Sequence, residues 1–284
     1  MAKYTEKIVV FLDILGFSNM LNVFEKEALG NDDSGIDLYH QSPKLNSILK
    51  VIDDSIQLLN KNQCKCYLFS DNICFTIDFV DDETEFPDLF IEVLLLINIL
   101  FKDFLKNGYL LRGGIDVGWF LEDDSKAIGV PLLNAYYLES KIAIYPRVLL
   151  SEKFIEYLKQ YAASNVIKDS LINKKDLLIY NQQNRYYLNS FAYIFEIEDK
   201  NEKIDYFITI SNMVSELYSK QSYKGKRLIE CRKVLHVKKK YKWFINEYNK
   251  FINLYISNYN DFEVNEINYN PSELNLIKNL TLKK

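Results

Sequence analysis

Two aspartates hold the most chemical promise in this chain of 284 residues. Asp13 closes the β-branched and apolar run Glu6 to Leu12, which reads as a strand, and Gly16 then turns the chain into a helical pattern that lasts to about Glu27. Asp71 sits at the tip Ser70-Asp71-Asn72 between two strand-like runs, Gln63 to Phe69 and Ile73 to Phe79. If the first strand lies antiparallel to that hairpin, both carboxylates reach one rim of a sheet, beside the Gly16 turn. Hard oxygen ligands next to backbone N–H groups at a helix start suit a divalent metal carrying a triphosphate. Taken singly, either aspartate is more often a turn or helix cap; it is the pair that counts.

Glycine is scarce, nine in all, and Gly108, Gly113, Gly114 and Gly118 crowd into one segment. Such residues weaken a strand. They mark either a bulged edge strand or a place where a ligand or another backbone comes close.

The elements that must position these residues follow from periodicity. Asn31 to Gln41 reads as a loop, Leu45 to Leu59 as a helix, Pro87 to about Lys106 as a helix, and Leu110 to Gly118 as a strand. Pro131 to Ala143 is helical, Arg147 to Leu150 a strand, and Glu152 to Tyr161 a helix. Beyond Ala163 strands are predicted at Leu177 to Tyr180 and Ala192 to Ile197, with helices near Tyr206 to Lys220, Lys239 to Ser257 and Ser272 to Leu280. Neither a linker nor a repeat intervenes, so residues 164–284 are expected to form an elaboration packed on a core of residues 1–163.

Composition removes several function classes. Hydrophobic residues at 48% and charged residues at 26% are ordinary for a globular protein, and a net charge of -4 argues against general attraction to nucleic acid or anionic membrane. The longest apolar run, Leu89 to Phe101, is broken by Glu92 and Asn98 and is shorter than the ~20 residues a spanning helix needs. Cys64, Cys66, Cys74 and Cys231 lack zinc spacing, which fits a reducing cytoplasm and no secretion. His40 and His236 lie away from the motifs and read as structural or surface residues. The basic stretch Lys224 to Lys242, with Tyr241 and Trp243, reads as a solvated helix face or dimer contact rather than an RNA surface.

Four blocks then stand in order: Phe11-Leu12-Asp13-Ile14-Leu15-Gly16-Phe17-Ser18, Phe69-Ser70-Asp71, Leu111-Arg112-Gly113-Gly114-Ile115-Asp116-Val117-Gly118, and Gly129-Val130-Pro131 leading to Ala135-Tyr136-Tyr137-Leu138-Glu139. Over roughly residues 5 to 155 the chain resembles class III nucleotidyl cyclases. The resemblance implies an α+β fold, a ferredoxin-like βαββαβ core with an α-rich C-terminal elaboration. It implies a homodimer with active sites at the shared interface and two Mg²⁺ or Mn²⁺ ions held by Asp13 and Asp71. Backbone groups of Ile14, Leu15, Gly16 and Phe17 would hold a metal and the triphosphate. A nucleoside triphosphate would become a 3′,5′-cyclic nucleotide and pyrophosphate, a reaction that needs chiefly positioning and charge neutralisation.

The chain departs from the family pattern in its base and ribose contacts. The adenine-reading Lys falls on Tyr67 and its acidic partner on Lys126; the ribose-orienting Asn falls on Leu133, with Asn134 adjacent, and the transition-state Arg on Tyr137. Arg112 and Arg147 are the cations that motif position places near the site. In these departures the chain looks closer to the bacterial pyrimidine cyclases of Pycsar antiphage defence, and Tyr67 with Arg112 would suit a uracil or cytosine ring. The expectation is therefore a cyclase of UTP before CTP whose product a separate effector senses. A purine cyclase and a catalytically degenerate nucleotide-binding protein are the alternatives.

Overall fold

The computed structural model describes residues 3–29, 42–79, 86–123, 126–162, 178–220, 228–257, 277 and 279–280. The first half runs β1 (Tyr4–Ile14), α1 (Phe17–Leu29), α2 (Pro43–Lys61), β2 (Lys65–Phe69), β3 (Asn72–Asp78), α3 (Phe86–Lys106) and β4 (Leu111–Asp123). Then come β5 (Lys126–Gly129), α4 (Val130–Tyr137), a π-helical turn (Leu138–Ile142), β6 (Val148–Leu150) and α5 (Glu152–Ala162). The C-terminal part holds β7 (Ile179–Gln182), β8 (Arg185–Leu188), a 3₁₀ helix (Ala192–Glu196), α6 (Lys200–Ser219) and α7 (Leu228–Ser257).

The strands form one sheet in the order β2-β3-β1-β4-β6-β8-β7, with β5 paired to β4. Within it β1, β2, β3 and β4 take the order 2-3-1-4, every neighbouring pair antiparallel, with helices at both crossovers. That is the ferredoxin-like βαββαβ core expected from the sequence. β6 continues the sheet parallel to β4, and the β7–β8 hairpin is added antiparallel to β6.

Strand alternation gives the sheet two unlike faces. Ile8, Val10, Leu12 and Ile14 of β1 enter the main core with Ile52 of α2, Phe101 and Phe104 of α3, Phe207 of α6 and Phe244 of α7. On the other face Val9, Phe11, Tyr67, Cys74, Phe120 and Ala135 form a small cluster under α4. β1 is apolar on both faces because both are covered. The ends of that second face are polar, with Lys7 at one end and Asp13 at the other.

β4 lies between β1 and β6, so its glycines do not mark an edge strand. They permit close approach instead. A Cβ on Gly114 would stand 2.2 Å from the Ala135 carbonyl oxygen, which shows that α4 rests directly on the strand backbone.

The predicted hairpin, with Ser70 in the left-handed region at φ 61°, is present. Other expectations need correction. Ala192 to Ile197 is no strand: Ala192–Glu196 is a 3₁₀ turn whose Ala192, Ile194 and Phe195 fill the core. The missed strands β5 and β8 are four residues each, too short for alternation to register. α6 begins at Lys200, capped by Asp199, whose side chain accepts the Glu202 amide, and α7 begins at Leu228. The predicted loop at residues 31–41, His40, and most of the last predicted helix lie outside the described residues. Among those described, no helix is long and apolar enough to cross a membrane.

Candidate active site

Register brings the two aspartates to one rim. Asp13 pairs with Asn72 on one side and with Arg112 on the other, and the Ile14 N–H donates to the Asp71 carbonyl at 3.3 Å. The site also contains a residue that the sequence did not single out. Arg112 donates from Nε to Asp13 Oδ2 at 2.7 Å, and its Nη2 forms an ion pair with Glu139 Oε1 at 2.8 Å. Glu139 is 3% exposed and lies in the π turn that follows α4. The wider turn sets its side chain inward, and such turns recur at functional sites.

Two carboxylates, Asp13 and Glu139, thus share one guanidinium, with the Asp71 carboxylate in electrostatic range of both. Burial raises the Asp13 pKa above its ordinary value; Arg112 opposes this and Asp71 adds to it. Burial pushes the Glu139 carboxyl up to about 7, with Arg112 lowering it and Asp13 and Asp71 raising it further. Like-charge repulsion of this kind is relieved by a divalent cation, and the donors are hard oxygens. Asp13, Asp71 and the Ile14 carbonyl therefore fit Mg²⁺ or Mn²⁺ by donor type. Among the described residues, no group of three or more His, Cys, Asp and Glu side chains is gathered as a metal cage.

The adjoining backbone narrows the anion-binding expectation. The Ile14 N–H is taken by Asp71 and the Leu15 N–H donates to the Leu110 carbonyl at 2.8 Å, so neither amide is available to a phosphate. The Leu15 assignment is corrected accordingly. Gly16, at φ 87°, makes the turn, and its carbonyl accepts from Asn19 at 3.0 Å. The amides of Gly16, Phe17 and Ser18 have no acceptor among the described residues, as expected at a helix start. The Phe17 side chain is buried against Phe24, so only its backbone can serve a ligand.

Tyr67 occupies the same face as Asp13, two strands across and two residues along, or about 12 Å away from strand spacings. It is buried, and its hydroxyl makes no hydrogen bond. Burial, with nearby Glu122, raises its pKa well above the phenol range. Glu122 accepts from Lys7 at 2.7 Å and from the Thr76 hydroxyl, and lies 3.8 Å from Lys65. Burial raises the Glu122 pKa, but Lys7 and Thr76 outweigh it and the net shift is downward. Arg112 is at the carboxylate rim and not beside Tyr67, so the two do not converge on one base within a protomer.

The remaining expected contacts are dispersed. Asn134 donates to Asp116 Oδ2 at 2.8 Å, and Asp116 also accepts from the Ser151 hydroxyl; this ties α4 to the start of α5. Tyr137 is 56% exposed on α4, in line with Val130 and Leu133, each 67% exposed. The Arg147 carbonyl accepts the Gly113 N–H at 3.1 Å, but its side chain forms no ion pair with Asp13, Asp71 or Glu139 among the described residues. Its guanidinium lies 5.3 to 5.9 Å from the rings of Tyr145, Tyr187 and Trp243, a buried cation–π cage between β6, β8 and α7. Lys126 is exposed, 4.0 Å from Asp123, and His236 is exposed on α7.

No protein-family model and no curated protein matches the sequence. Among solved structures the chain is similar to the adenylyl cyclase CyaB from P. aeruginosa, at 13% identity and a TM-score of 0.45, over 66% of this chain and 95% of that one. It is similar to the monomeric guanylyl cyclase domain of the RhoGC fusion protein from Blastocladiella emersonii, at 13% and 0.43, over 66% and 96%. A bacterial light-regulated adenylyl cyclase aligns at 14% and 0.37, over 76% and 99%. Likeness at this level concerns the fold alone.

Proposed function

We propose that this protein is a nucleotidyl cyclase that converts a nucleoside triphosphate to a 3′,5′-cyclic nucleotide and pyrophosphate. The observation that carries it is the convergence of Asp13 and Asp71 at one rim beside the unpaired amides at the start of α1. Asp13, Asp71 and the Ile14 carbonyl would hold Mg²⁺ or Mn²⁺. Bound there, the metal pair would supply Lewis acidity at the ribose hydroxyl and charge neutralisation for the departing pyrophosphate. The amides of Gly16 and Phe17 orient the phosphates, and Arg112 fixes the Asp13 carboxylate.

The base half and the phosphate half of the site stand about 12 Å apart on one face, and the α4 stripe of Val130, Leu133 and Tyr137 is apolar and exposed. Both features support a homodimer in which each site takes its carboxylates from one protomer and Tyr67 from the other. Tyr67 in place of a lysine supports a pyrimidine, UTP before CTP. Its unpaired hydroxyl is the donor or acceptor that would read the ring. A second-messenger role in antiphage defence, in the cytoplasm, goes with the resemblance to Pycsar cyclases.

Two observations favour a second reading, a nucleotide-binding protein without turnover: Arg112 occupies Asp13, and no arginine stands at position 137. Incubation with each of the four ribonucleoside triphosphates and Mn²⁺ separates the two, with pyrophosphate and cyclic nucleotide as readouts. Asp71→Ala is expected to abolish product and leave the melting temperature within a few degrees of the parent. Unchanged turnover in that variant would refute the metal assignment.

A further inference from the structure

The second face of the sheet ends, away from the carboxylate rim, in an open polar pocket of about 530 Å³ where Lys7, Lys65, Asp78 and Glu122 converge. Most of these groups are already committed. Glu122 Oε2 accepts from the Lys7 ammonium at 2.7 Å and its Oε1 from the Thr76 hydroxyl, and Lys7 also pairs with Asp78 at 2.7 Å. Lys65 differs. Its ammonium stands 3.8 Å from Glu122 Oε2, too far for a hydrogen bond, and 5.7 Å from the centre of the Tyr67 ring, on a partly exposed side chain. Strand alternation puts Lys65 and Tyr67 on one face of β2, and Thr76, the cross-strand partner of Lys65, carries the hydroxyl that holds Glu122. The carboxylate and the ring thus draw the ammonium to one place by charge, and Lys65 makes no hydrogen bond among the described residues.

Arg112 lies at the carboxylate rim, so the cation that the structure does set beside Tyr67 is Lys65. Both residues come from one strand of one protomer, and their spacing does not depend on how a dimer assembles. An ammonium donates hydrogen bonds and cannot accept them. The edge of a pyrimidine away from the ribose carries a carbonyl oxygen at C4 in uracil and an amino group there in cytosine. The carbonyl accepts from Lys65. The amino group meets it donor against donor, which leaves both unpaired.

We propose that Lys65 is a specificity-determining residue, whose ammonium, placed by Glu122 and the Tyr67 ring, donates to the C4 carbonyl oxygen of a uracil base and rejects cytosine. This rests on the proposed function in one respect, that Tyr67 faces the base. Its own observation is the ammonium held over that ring with its N–H donors untaken.

The test uses the full chain as parent, Lys65→Met and Lys65→Gln, with Mn²⁺ and the 3′-deoxy analogues of UTP and CTP titrated calorimetrically. These analogues lack the attacking hydroxyl, so binding is read without turnover; cyclisation of UTP and CTP is measured alongside. The parent is expected to prefer 3′-deoxy-UTP. Lys65→Met is expected to weaken that analogue roughly ten- to a hundredfold, the scale of one hydrogen bond to a charged group, and to leave 3′-deoxy-CTP as tight as before or tighter. Lys65→Gln, whose amide both donates and accepts, is expected to erase the difference between the two. Unchanged 3′-deoxy-UTP affinity in both variants, an equal loss for both analogues, or a parent that binds 3′-deoxy-CTP at least as tightly overturns the proposal. A parent that cyclises UTP while both variants keep its ranking also overturns it and leaves the cyclase reading standing. A parent that makes no cyclic nucleotide yet loses its uracil preference on Lys65→Met sinks the cyclase reading and upholds this one. A parent that binds neither analogue overturns both.

Discussion

Glu139→Gln tests the electrostatics of the rim without changing its shape. In the folded protein the Glu139 carboxyl titrates at about 7 against an ordinary 4.5, with burial as the largest cause. The folded state therefore binds a proton that the unfolded chain has released, and Glu139 favours folding below pH 4.5 and loses that contribution as pH rises through 7. The shift of about 2.5 units, at about 1.4 kcal/mol each, makes the ionised carboxylate cost roughly 3 kcal/mol above pH 8. Glutamine keeps the size and the acceptor oxygen and cannot ionise. The variant should therefore gain about 3 kcal/mol over the parent at pH 8.5 and less than about 1 kcal/mol at pH 5. For a chain of this size that is a rise in melting temperature of roughly 5 to 10 °C at the higher pH. The assay is thermal unfolding across pH 5 to 9 in chelator, because a bound divalent cation would itself stabilise the ionised form. A difference between the two proteins that does not change with pH would refute the reasoning.

Gly114→Ala should destabilise by about 2 kcal/mol or more in urea unfolding, because its Cβ would meet the Ala135 carbonyl oxygen at 2.2 Å and the Leu138 Cβ at 2.7 Å. Gly16→Ala meets nothing within 4 Å and pays only for its left-handed backbone, about 1 kcal/mol. Equal losses would show that α4 is not seated on β4. Tyr67→Phe removes a buried hydroxyl that has no partner, so the ligand-free protein should hold or gain up to about 1 kcal/mol in the same assay. The ranking of UTP, CTP and ATP should change in that variant; an unaltered ranking would remove Tyr67 from base reading.

The aspartate pair was legible in the sequence because both residues sit at local punctuation, a strand end and a hairpin tip, and a simple antiparallel pairing is enough to join them. Gly113 and Gly114 were legible as an anomaly, and the structure decides between bulge and close approach in favour of the second. Glu139 was not legible. It lies in an unbroken helical pattern, and only the π turn sets its side chain inward beside Arg112. Strand position alone does not say which neighbour takes the Arg147 side chain; three aromatic rings do so here, two of them from segments distant in sequence.

The added C-terminal segments explain why that cage matters to the rim. β8 and α7 converge on Arg147 through Tyr187 and Trp243, and Trp243 packs against the same small cluster of Ala143, Leu149, Tyr180 and Tyr187 as Leu138 and Ile142 of the π turn that holds Glu139. The turn that carries the carboxylate sharing Arg112 with Asp13 and a helix beginning more than 80 residues later in the chain therefore rest on one apolar cluster. A core of β1 to β4 alone would bring Asp13, Asp71 and Arg112 together by register. It would lack the π turn and with it Glu139, whose burial sets the balance of charge at the rim.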